Sequence, residues 1–288
     1  MRSTLLDGLS VLLLKEGFTT KMMEKGCFDI LARREDILLI KVLNDANAVS
    51  EGAAGELKKL GAYVDGVPLI VAEKAGGALQ NNVVYVRYGV YTMNSYTFKS
   101  CVNRRLPIVK STQAGFTTAL EGEKLKRKRE EFGYSLHALA AKLGVSSRMV
   151  AKYEAGESEI TLKKALKLYD LFGRAVFREV GVFDSVLRPF GLARSDISKK
   201  YLELGFEAAE TERVPFDVIA RRQSEVILTE VGDKQSSELI PMARLLDVNK
   251  LVIFGKHKPK DIPAMSKKEF LEFEKASELI KFIKEFET

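Results

Sequence analysis

The chain has 288 residues, enough for two or three domains that each bury a core. Its apolar runs are too short to span a bilayer and no cleavable signal is visible, so we expect a cytoplasmic protein without a membrane partner. The 46 basic and 39 acidic residues give a net charge of +7, which favours polyanionic partners, whereas two histidines and two cysteines argue against a histidine-based zinc site or a disulfide.

Residues 1–103 are predicted to form an α/β domain. An amphipathic helix, STLLDGLSVLLLKEG, stops at Gly17, and the apolar strands FDILARR and ILLIKVL follow, joined by a tight turn at Glu35 and Asp36. Ser50 caps a second helix, SEGAAGELKKLGA. The strands VPLIVAEK and VVYVRYGV and a short helix, NSYTFKSCV, complete the domain.

The middle of the chain has a different pattern. Residues 104–120 are typical of a short hairpin or linker, and residues 121–173 are predicted to be purely helical. A connector spans residues 174–194, in which Pro189 marks a break before the last segment.

Residues 195–288 are predicted to form a second α/β domain. It begins with the helix SDISKKYLELG and continues with strands at 215–222 and 225–231. A helix at 235–246 and the strand KLVIFGK follow, and the last helix begins with a capping box formed by Ser266 and Glu269.

The two α/β domains contain the same phrase, FDILARR in one and FDVIARR in the other. Aligned without a gap, residues 17–45 and 205–233 are identical at nine of 29 positions: Gly17, Phe18, Glu24, Phe28, Asp29, Ala32, Arg33, Arg34 and Asp45 of the first segment. We interpret this match as a duplicated domain that has since diverged.

The segment SLHALAAKLGVSSRMVAKYEAGE, residues 135–157, has the steric pattern of a helix-turn-helix. Ala140 is the small residue where two helices cross, and Gly144 is the turn residue that tolerates a left-handed backbone. Ser135 and Ser146 cap the two helices. Five residues occupy the inward positions: Leu139, Leu143, Val145, Val150 and Tyr153.

This segment resembles the lambda-repressor/Cro-like (XRE-type) helix-turn-helix family, whose recurrent core is found here as Gly144-Val145-Ser146, Tyr153-Glu154 and Gly156. The resemblance implies that the second helix lies in the major groove of double-stranded DNA. The expected DNA-binding residues are Ser135, Ser146, Ser147, Arg148, Met149 and Lys152.

Each of these residues has an expected role. Arg148 suits a bidentate contact to guanine, and Met149 suits a thymine methyl group. Lys152 is expected to contact phosphate, and Ser147 a base or a phosphate; the two capping serines lie where backbone amides favour a phosphate oxygen. Many relatives have Gln where this chain has Leu136, so the contact that such a Gln makes is not expected here.

The layout of the whole chain resembles a family of archaeal HTH-type transcriptional regulators that carry the helix-turn-helix between two α/β regions. The segments that carry this resemblance are FDILARREDILLIKVL, RYGVYTMN, EGEKLKRKREEFG and VPFDVIARR. It implies a DNA-binding regulator. The basic run KLKRKR at 124–129 agrees with that function, although a charged helix face can equally be solvated surface.

The order helix, hairpin, helix, strand is also that of restriction-endonuclease-like folds, which bind a metal between an Asp and an acid-x-Lys sequence. Asp217 and Glu230 match the acids, but Gly232 occupies the lysine position and Lys234 lies two residues further on. In the first domain the matching residues are Asp29, Val42 and Asn44. The motif is incomplete, so we expect a degenerate, nuclease-like scaffold used for binding, with no catalytic residue, metal or cofactor.

Six repeated polar residues have simpler interpretations. Asp29 and Asp217 are expected to accept hydrogen bonds from turn or strand-end amides. The four arginines are expected to lie at strand ends and to face water: Arg33, Arg34, Arg221 and Arg222. The alternative is that they contact phosphate or form an interdomain ion pair.

The sequence therefore predicts an α/β plus all-α protein. Two related, degenerate restriction-endonuclease-like domains flank a lambda-repressor-like helix-turn-helix domain, and the function is sequence-specific DNA binding in transcription regulation. A homodimer is expected because one helix-turn-helix contacts few base pairs. Two other functions stay open: a metal-dependent nuclease built on Asp217 and Glu230, and an adaptor that binds a protein through the helical domain.

Overall fold

The computed structural model describes residues 2–23, 26–113, 115–184 and 187–286. The α-helices are α1 (Arg2–Lys15), α2 (Glu51–Val64), α3 (Ser95–Val102), α4 (Gly122–Glu131), α5 (Leu136–Leu143), α6 (Ser147–Glu154), α7 (Leu162–Phe172), α8 (Asp196–Glu203), α9 (Leu239–Leu246), α10 (Lys267–Glu272) and α11 (Ala276–Glu285). The strands are β1 (Thr19–Met22), β2 (Ile30–Arg33), β3 (Ile37–Leu43), β4 (Gly66–Ala72), β5 (Lys74–Ala75), β6 (Gly77–Ala78), β7 (Val83–Arg87), β8 (Val90–Met93), β9 (Val109–Thr112), β10 (Gly115–Thr118), β11 (Ile160–Thr161), β12 (Glu207–Glu210), β13 (Val218–Arg222), β14 (Glu225–Val231), β15 (Asn249–Phe254) and β16 (Ala264–Ser266). Within these ranges, none of the helices has the length and apolar character needed to span a lipid bilayer.

Contacts between residues divide the chain into two compact units. Unit 1 comprises Met1–Leu43, Ala48–Ile70 and Phe183–Thr288, and unit 2 comprises Asn44–Asn47 and Val71–Val182. The domain limits predicted above follow the sequence repeat and the helical segment, not these contacts, and they stay predictions.

Unit 1 contains two structural copies, which we call the N-terminal copy (residues 2–70) and the C-terminal copy (residues 195–286). Their strand orders are β1-β2-β3-β4 and β12-β13-β14-β15-β16. The predicted hairpin strands are present in both copies. Each sheet also begins with a four-residue strand that the sequence analysis missed, β1 or β12, because TTKM and EAAE lack a continuous apolar pattern.

The hairpins of the two copies differ by one residue, and this corrects the ungapped alignment. Arg33 pairs with Ile37, whereas its counterpart Arg221 pairs with Val226, one position later than the ungapped alignment predicts. Every position beyond the turn is therefore shifted by one. As a result the structural equivalent of Glu230 is Lys41, and the earlier pairing of Glu230 with Val42 was wrong.

The hairpin aspartates have the structural role expected of them. Asp29 Oδ2 accepts the Val42 N–H at 2.7 Å, and Asp217 Oδ2 accepts the Val231 N–H at 2.6 Å. Each carboxylate thus joins the start of one hairpin strand to the end of the other, which explains why both copies keep it.

The two copies contact each other through equivalent elements. Helix α9 packs on β1 and β2, and helix α2 packs on β13. Arg221 donates to both carboxylate oxygens of Asp65, at 2.6 and 2.7 Å, where Asp65 is the left-handed C-cap of α2. Its counterpart Arg33 donates to the Leu245 carbonyl at 3.0 Å and contacts Asp247, the left-handed C-cap of α9.

These reciprocal contacts overturn one expectation. Arg33 and Arg221 do not simply face water; they form the interdomain ion pairs that had been the alternative. Arg34 stays within its own copy, where it donates to the Glu16 carbonyl at 2.7 Å and lies over the Phe18 ring.

Unit 2 contains five strands of a larger sheet and the helical segment. Its strands follow the order β8-β7-β9-β10-β11, and β9 and β10 form the hairpin predicted within residues 104–120. The segment predicted to be purely helical also contains β11, which pairs with β10. Helices α4–α7 enclose a core that includes Leu125, Leu139, Val150 and Leu168.

Candidate nucleic-acid interface

The turn between α5 and α6 has the geometry that the sequence predicts. Gly144 has φ +70°, which an L side chain adopts only with strain, and it ends α5 as a left-handed C-cap. Ser135 Oγ accepts the Ala138 N–H at 3.0 Å, and Ser146 Oγ accepts the Met149 N–H at 3.2 Å. Both helices therefore start at side chains that the sequence analysis selected as caps.

The inward residues fix α6 against the rest of the helical segment. Leu139, Leu143, Val150 and Tyr153 are buried, and Val145 packs against the same core while staying half-buried. This packing determines which side of α6 remains available to a ligand.

The candidate DNA-binding residues differ in their exposure. Ser146, Arg148 and Lys152 are exposed, and Arg148 and Lys152 lie four residues apart on one face of α6. Ser147 is half-buried, and Met149 is partly buried because it packs against the helical core. Ser135 is exposed at the start of α5.

A buried ion pair that the sequence analysis missed joins α4 to α6. Arg129 is only 8% exposed, and its Nε and Nη2 atoms donate to Glu154 at 2.6 and 3.0 Å. Its Nη1 atom donates to the Tyr134 carbonyl at 3.0 Å. The hydrogen bond to Glu154 raises the pKa of the guanidinium, although burial opposes this.

The close contact between these helices also explains a glycine. A Cβ on Gly122 would lie 2.1 Å from the Glu154 carbonyl oxygen, so α4 can pass this close to α6 only with glycine here. The sequence did contain a signal for this ion pair. Glu154 belongs to the Tyr-Glu-x-Gly core, and a buried carboxylate requires a cationic partner.

The basic run on α4 is therefore divided between two roles. Arg129 is the buried partner of Glu154, and Leu125 is buried in the core. Lys124, Lys126 and Arg127 are exposed. Lys128 is half-buried and donates to Glu131 at 2.7 Å, so the three exposed residues contribute most of the positive surface that this run offers a polyanion.

A second candidate site is a cavity of about 520 Å³ lined by residues of the C-terminal copy and by one residue of the N-terminal copy, which we call the acidic pocket. Asp217 and Glu230 line it together with Lys234, and Met23, Val214, Pro215 and Phe216 contribute to its wall. Glu230 is 7% exposed, and its Oε1 atom accepts the Ser236 N–H at 2.7 Å. Burial and the nearby Asp217 raise the pKa of Glu230, while the Ser236 amide opposes the shift.

The acids do not complete a metal-dependent cleavage site. Gly232 takes the place of the lysine in acid-x-Lys, and in the N-terminal copy Lys41 takes the place of the acid. Among the described residues, no group of three or more His, Cys, Asp or Glu side chains is placed to hold a metal ion. Asp217 and Glu230 therefore reproduce only part of the acid-x-Lys motif.

Comparison with known families agrees with this architecture. A helix-turn-helix model matches residues 125–176, and a PD-(D/E)XK superfamily domain model matches residues 2–107. These matches confirm the predicted fold class: restriction-endonuclease-like α/β domains with an XRE-type helix-turn-helix between them. No solved structure matches the chain.

Relatives that match along the chain share the name "Putative HTH-type transcriptional regulatory protein". The one from Pyrococcus horikoshii is 30% identical, and the match covers 99% of this chain and 98% of the relative. The Methanocaldococcus jannaschii relative is 29% identical over 99% and 97%, and the Archaeoglobus fulgidus relative is 31% identical over 85% and 82%. The chain belongs to this family of archaeal HTH-type transcriptional regulatory proteins.

Proposed function

We propose that this protein regulates transcription by binding specific sequences in double-stranded DNA through α6. The observation that carries the proposal is the capped α5–Gly144–α6 geometry with Arg148 exposed in the first turn of α6. Such a helix fits the major groove, where its N-terminal residues meet base edges. The names of the relatives supply the link to transcription.

The proposed contacts fall into two groups. Arg148 reads guanine and Met149 offers its exposed portion to a thymine methyl group. Four residues contact the phosphate backbone: Ser135, Ser146, Ser147 and Lys152. The hydroxyls of the two capping serines, Ser135 and Ser146, accept one hydrogen bond each and still have a hydrogen to donate to phosphate. The exposed α4 residues Lys124, Lys126 and Arg127 add sequence-independent attraction.

The active form on DNA is a homodimer in this proposal. One helix-turn-helix contacts only a few base pairs, so useful affinity requires a second chain on a second half-site. The faces through which the two α/β copies contact each other are already occupied within the chain, so the proposed dimer uses other surfaces.

The test is selection from a random duplex pool with the full-length protein, with and without magnesium. We expect one enriched sequence, with the DNA intact. Arg148→Ala should lower the preference for that sequence about 5- to 150-fold, the equivalent of one bidentate base contact. Lys163→Ala, which removes an exposed charge from α7, is the matched control and should leave the preference unchanged.

The same experiment separates the two other functions. Magnesium-dependent cutting that disappears in Glu230→Ala would establish a nuclease in place of a regulator. Absence of enrichment even at low salt would favour the protein-binding adaptor. Unchanged preference in Arg148→Ala would refute the assignment of α6 as the reading helix.

A further inference from the structure

One oxygen in the acidic pocket lacks the partner that its burial requires. Glu230 Oε1 is bonded to the Ser236 amide, but Oε2 is buried and has no hydrogen-bond partner among the described residues. Asp217 lines the same pocket and adds a second carboxylate. A buried carboxylate oxygen without a donor or cation is costly, so the pocket favours a ligand that brings positive charge and N–H donors.

The N-terminal copy shows what chemistry neutralises the equivalent aspartate. Lys41 Nζ lies 3.1 Å from Asp29 Oδ1 and 3.0 Å from the Gly26 carbonyl oxygen. Arg2 Nη2 donates to the same Asp29 oxygen at 2.6 Å. An ammonium and a guanidinium from the chain itself therefore fill this position.

The C-terminal copy has lost both of those cations. Glu230 occupies the position of Lys41, as the strand registers require. Gly17 and Gly205 are equivalent positions. Helix α1 starts 15 residues before Gly17, but α8 starts only nine residues before Gly205, so α8 lacks the turn that carries Arg2. The residue equivalent to Gly26 is Val214, which lines the acidic pocket.

We propose that the acidic pocket binds a small aliphatic amine, with its ammonium group between Asp217 and Glu230. The ammonium takes the role that Lys41 has in the other copy and donates to the unpartnered Glu230 oxygen. The aliphatic stem packs against Met23, Pro215 and Phe216 on the apolar wall. Such a site goes beyond DNA binding and does not depend on it.

The apolar wall favours an amine over a hydrated divalent cation. A magnesium ion keeps most of its water shell and prefers a set of oxygen ligands, and it gains nothing from methionine, proline and phenylalanine side chains. An alkylammonium uses the carboxylates and the apolar wall together, as a lysine side chain does.

The test is calorimetric titration of the full-length protein with 1,5-diaminopentane in the absence of DNA. We expect saturable binding with one site per chain. Glu230→Gln keeps the size of the side chain and removes its charge, and it should weaken binding about tenfold or more, because a charge-assisted hydrogen bond is lost. Glu272→Gln, an exposed carboxylate on α10, is the matched control and should bind like the natural protein.

Three outcomes would overturn the proposal. The first is that the natural protein does not bind the diamine. This holds even if Lys234→Met does bind it, because the Lys234 ammonium would then occupy the site in the natural protein. The second is equal affinity in Glu230→Gln, whose melting temperature without ligand verifies its fold. The third is displacement of the amine by magnesium chloride but not by sodium chloride at equal ionic strength, because the pocket would then be a metal site. Tetramethylammonium, which has no N–H donor, should bind at least tenfold more weakly than the diamine.

Discussion

The N-terminal and C-terminal copies share a strand order, a hairpin aspartate and a docking arginine, yet the surroundings of the aspartate differ. In the N-terminal copy Lys41 and Arg2 neutralise Asp29, which is 3% exposed. In the C-terminal copy Asp217 is exposed and lines an open pocket with a second acid. A carboxylate that joins the hairpin ends can thus be kept for structure while its neighbours change from cationic to acidic.

The same comparison explains the docking of the copies. Arg33 and Arg221 occupy equivalent strand positions, and each donates hydrogen bonds to the C-terminal end of a helix of the other copy. Arg221 makes the stronger contact, with both Asp65 oxygens and the carbonyls of Ala62 and Tyr63 at 3.2 Å. The duplication has therefore produced a reciprocal but unequal interface.

Removing the two hairpin aspartates should have the largest and most unequal effect. Asp29→Ala leaves the buried Val42 N–H and the Lys41 ammonium without their acceptor. It should lower the free energy of unfolding by about 3 kcal/mol. Asp217→Ala removes one exposed acceptor and should cost about 1 kcal/mol. Urea unfolding of the two variants measures the difference. Equal losses would show that Lys41 and Arg2 add nothing to the role of Asp29.

The docking arginines should show a smaller difference in the same direction. Arg221→Ala should cost about 2 kcal/mol, because the bidentate pairing with Asp65 and two carbonyl contacts at 3.2 Å are lost. Arg33→Ala should cost about 1 kcal/mol, because its bond to Asp247 is long at 3.4 Å and exposed.

A double-mutant cycle between Arg221 and Asp65 checks the origin of the loss. We expect a coupling free energy of about 1 kcal/mol, whereas the cycle between Arg221 and Asp247 should give none. Full additivity for Arg221 and Asp65 would mean that the carbonyl contacts alone carry the effect.

The smallest expected effect is the acid sensitivity that Glu210 adds to the C-terminal copy. Burial opposes ionisation of Glu210, but the backbone N–H groups of Arg194 and Ser195 and the Ser198 hydroxyl hold its pKa to about 2. Because the folded pKa is depressed, this stabilisation is fully present above the ordinary pKa of 4.5 and is lost as the pH falls towards 2. Solvent screening limits it to roughly 1 kcal/mol.

The equivalent residue in the N-terminal copy is Met22, which cannot titrate. Glu210→Gln should therefore reduce the slope of the free energy of unfolding against pH between about 5 and 2, and Met22→Gln should leave this slope unchanged. A slope unaffected by Glu210→Gln would assign the acid sensitivity to other carboxylates.

Local patterns in the sequence were sufficient for the helix-turn-helix. Ser135, Gly144 and Ser146 lie within twelve residues, and each acts on backbone atoms at most four residues away. The capping box of Ser266 and Glu269 was predictable for the same reason. The spacing of such residues fixes their geometry without reference to the rest of the chain.

The sequence by itself thus determined that a helix-turn-helix lies between two diverged copies of one α/β fold. Only the tertiary structure decided that Lys41 is the equivalent of Glu230, because a one-residue change in a turn moves every later cross-strand partner. It also decided the partners of Arg33, whose hydrogen bond reaches 212 positions along the chain to Leu245. Contacts at that separation depend on how whole elements pack, which no local spacing encodes.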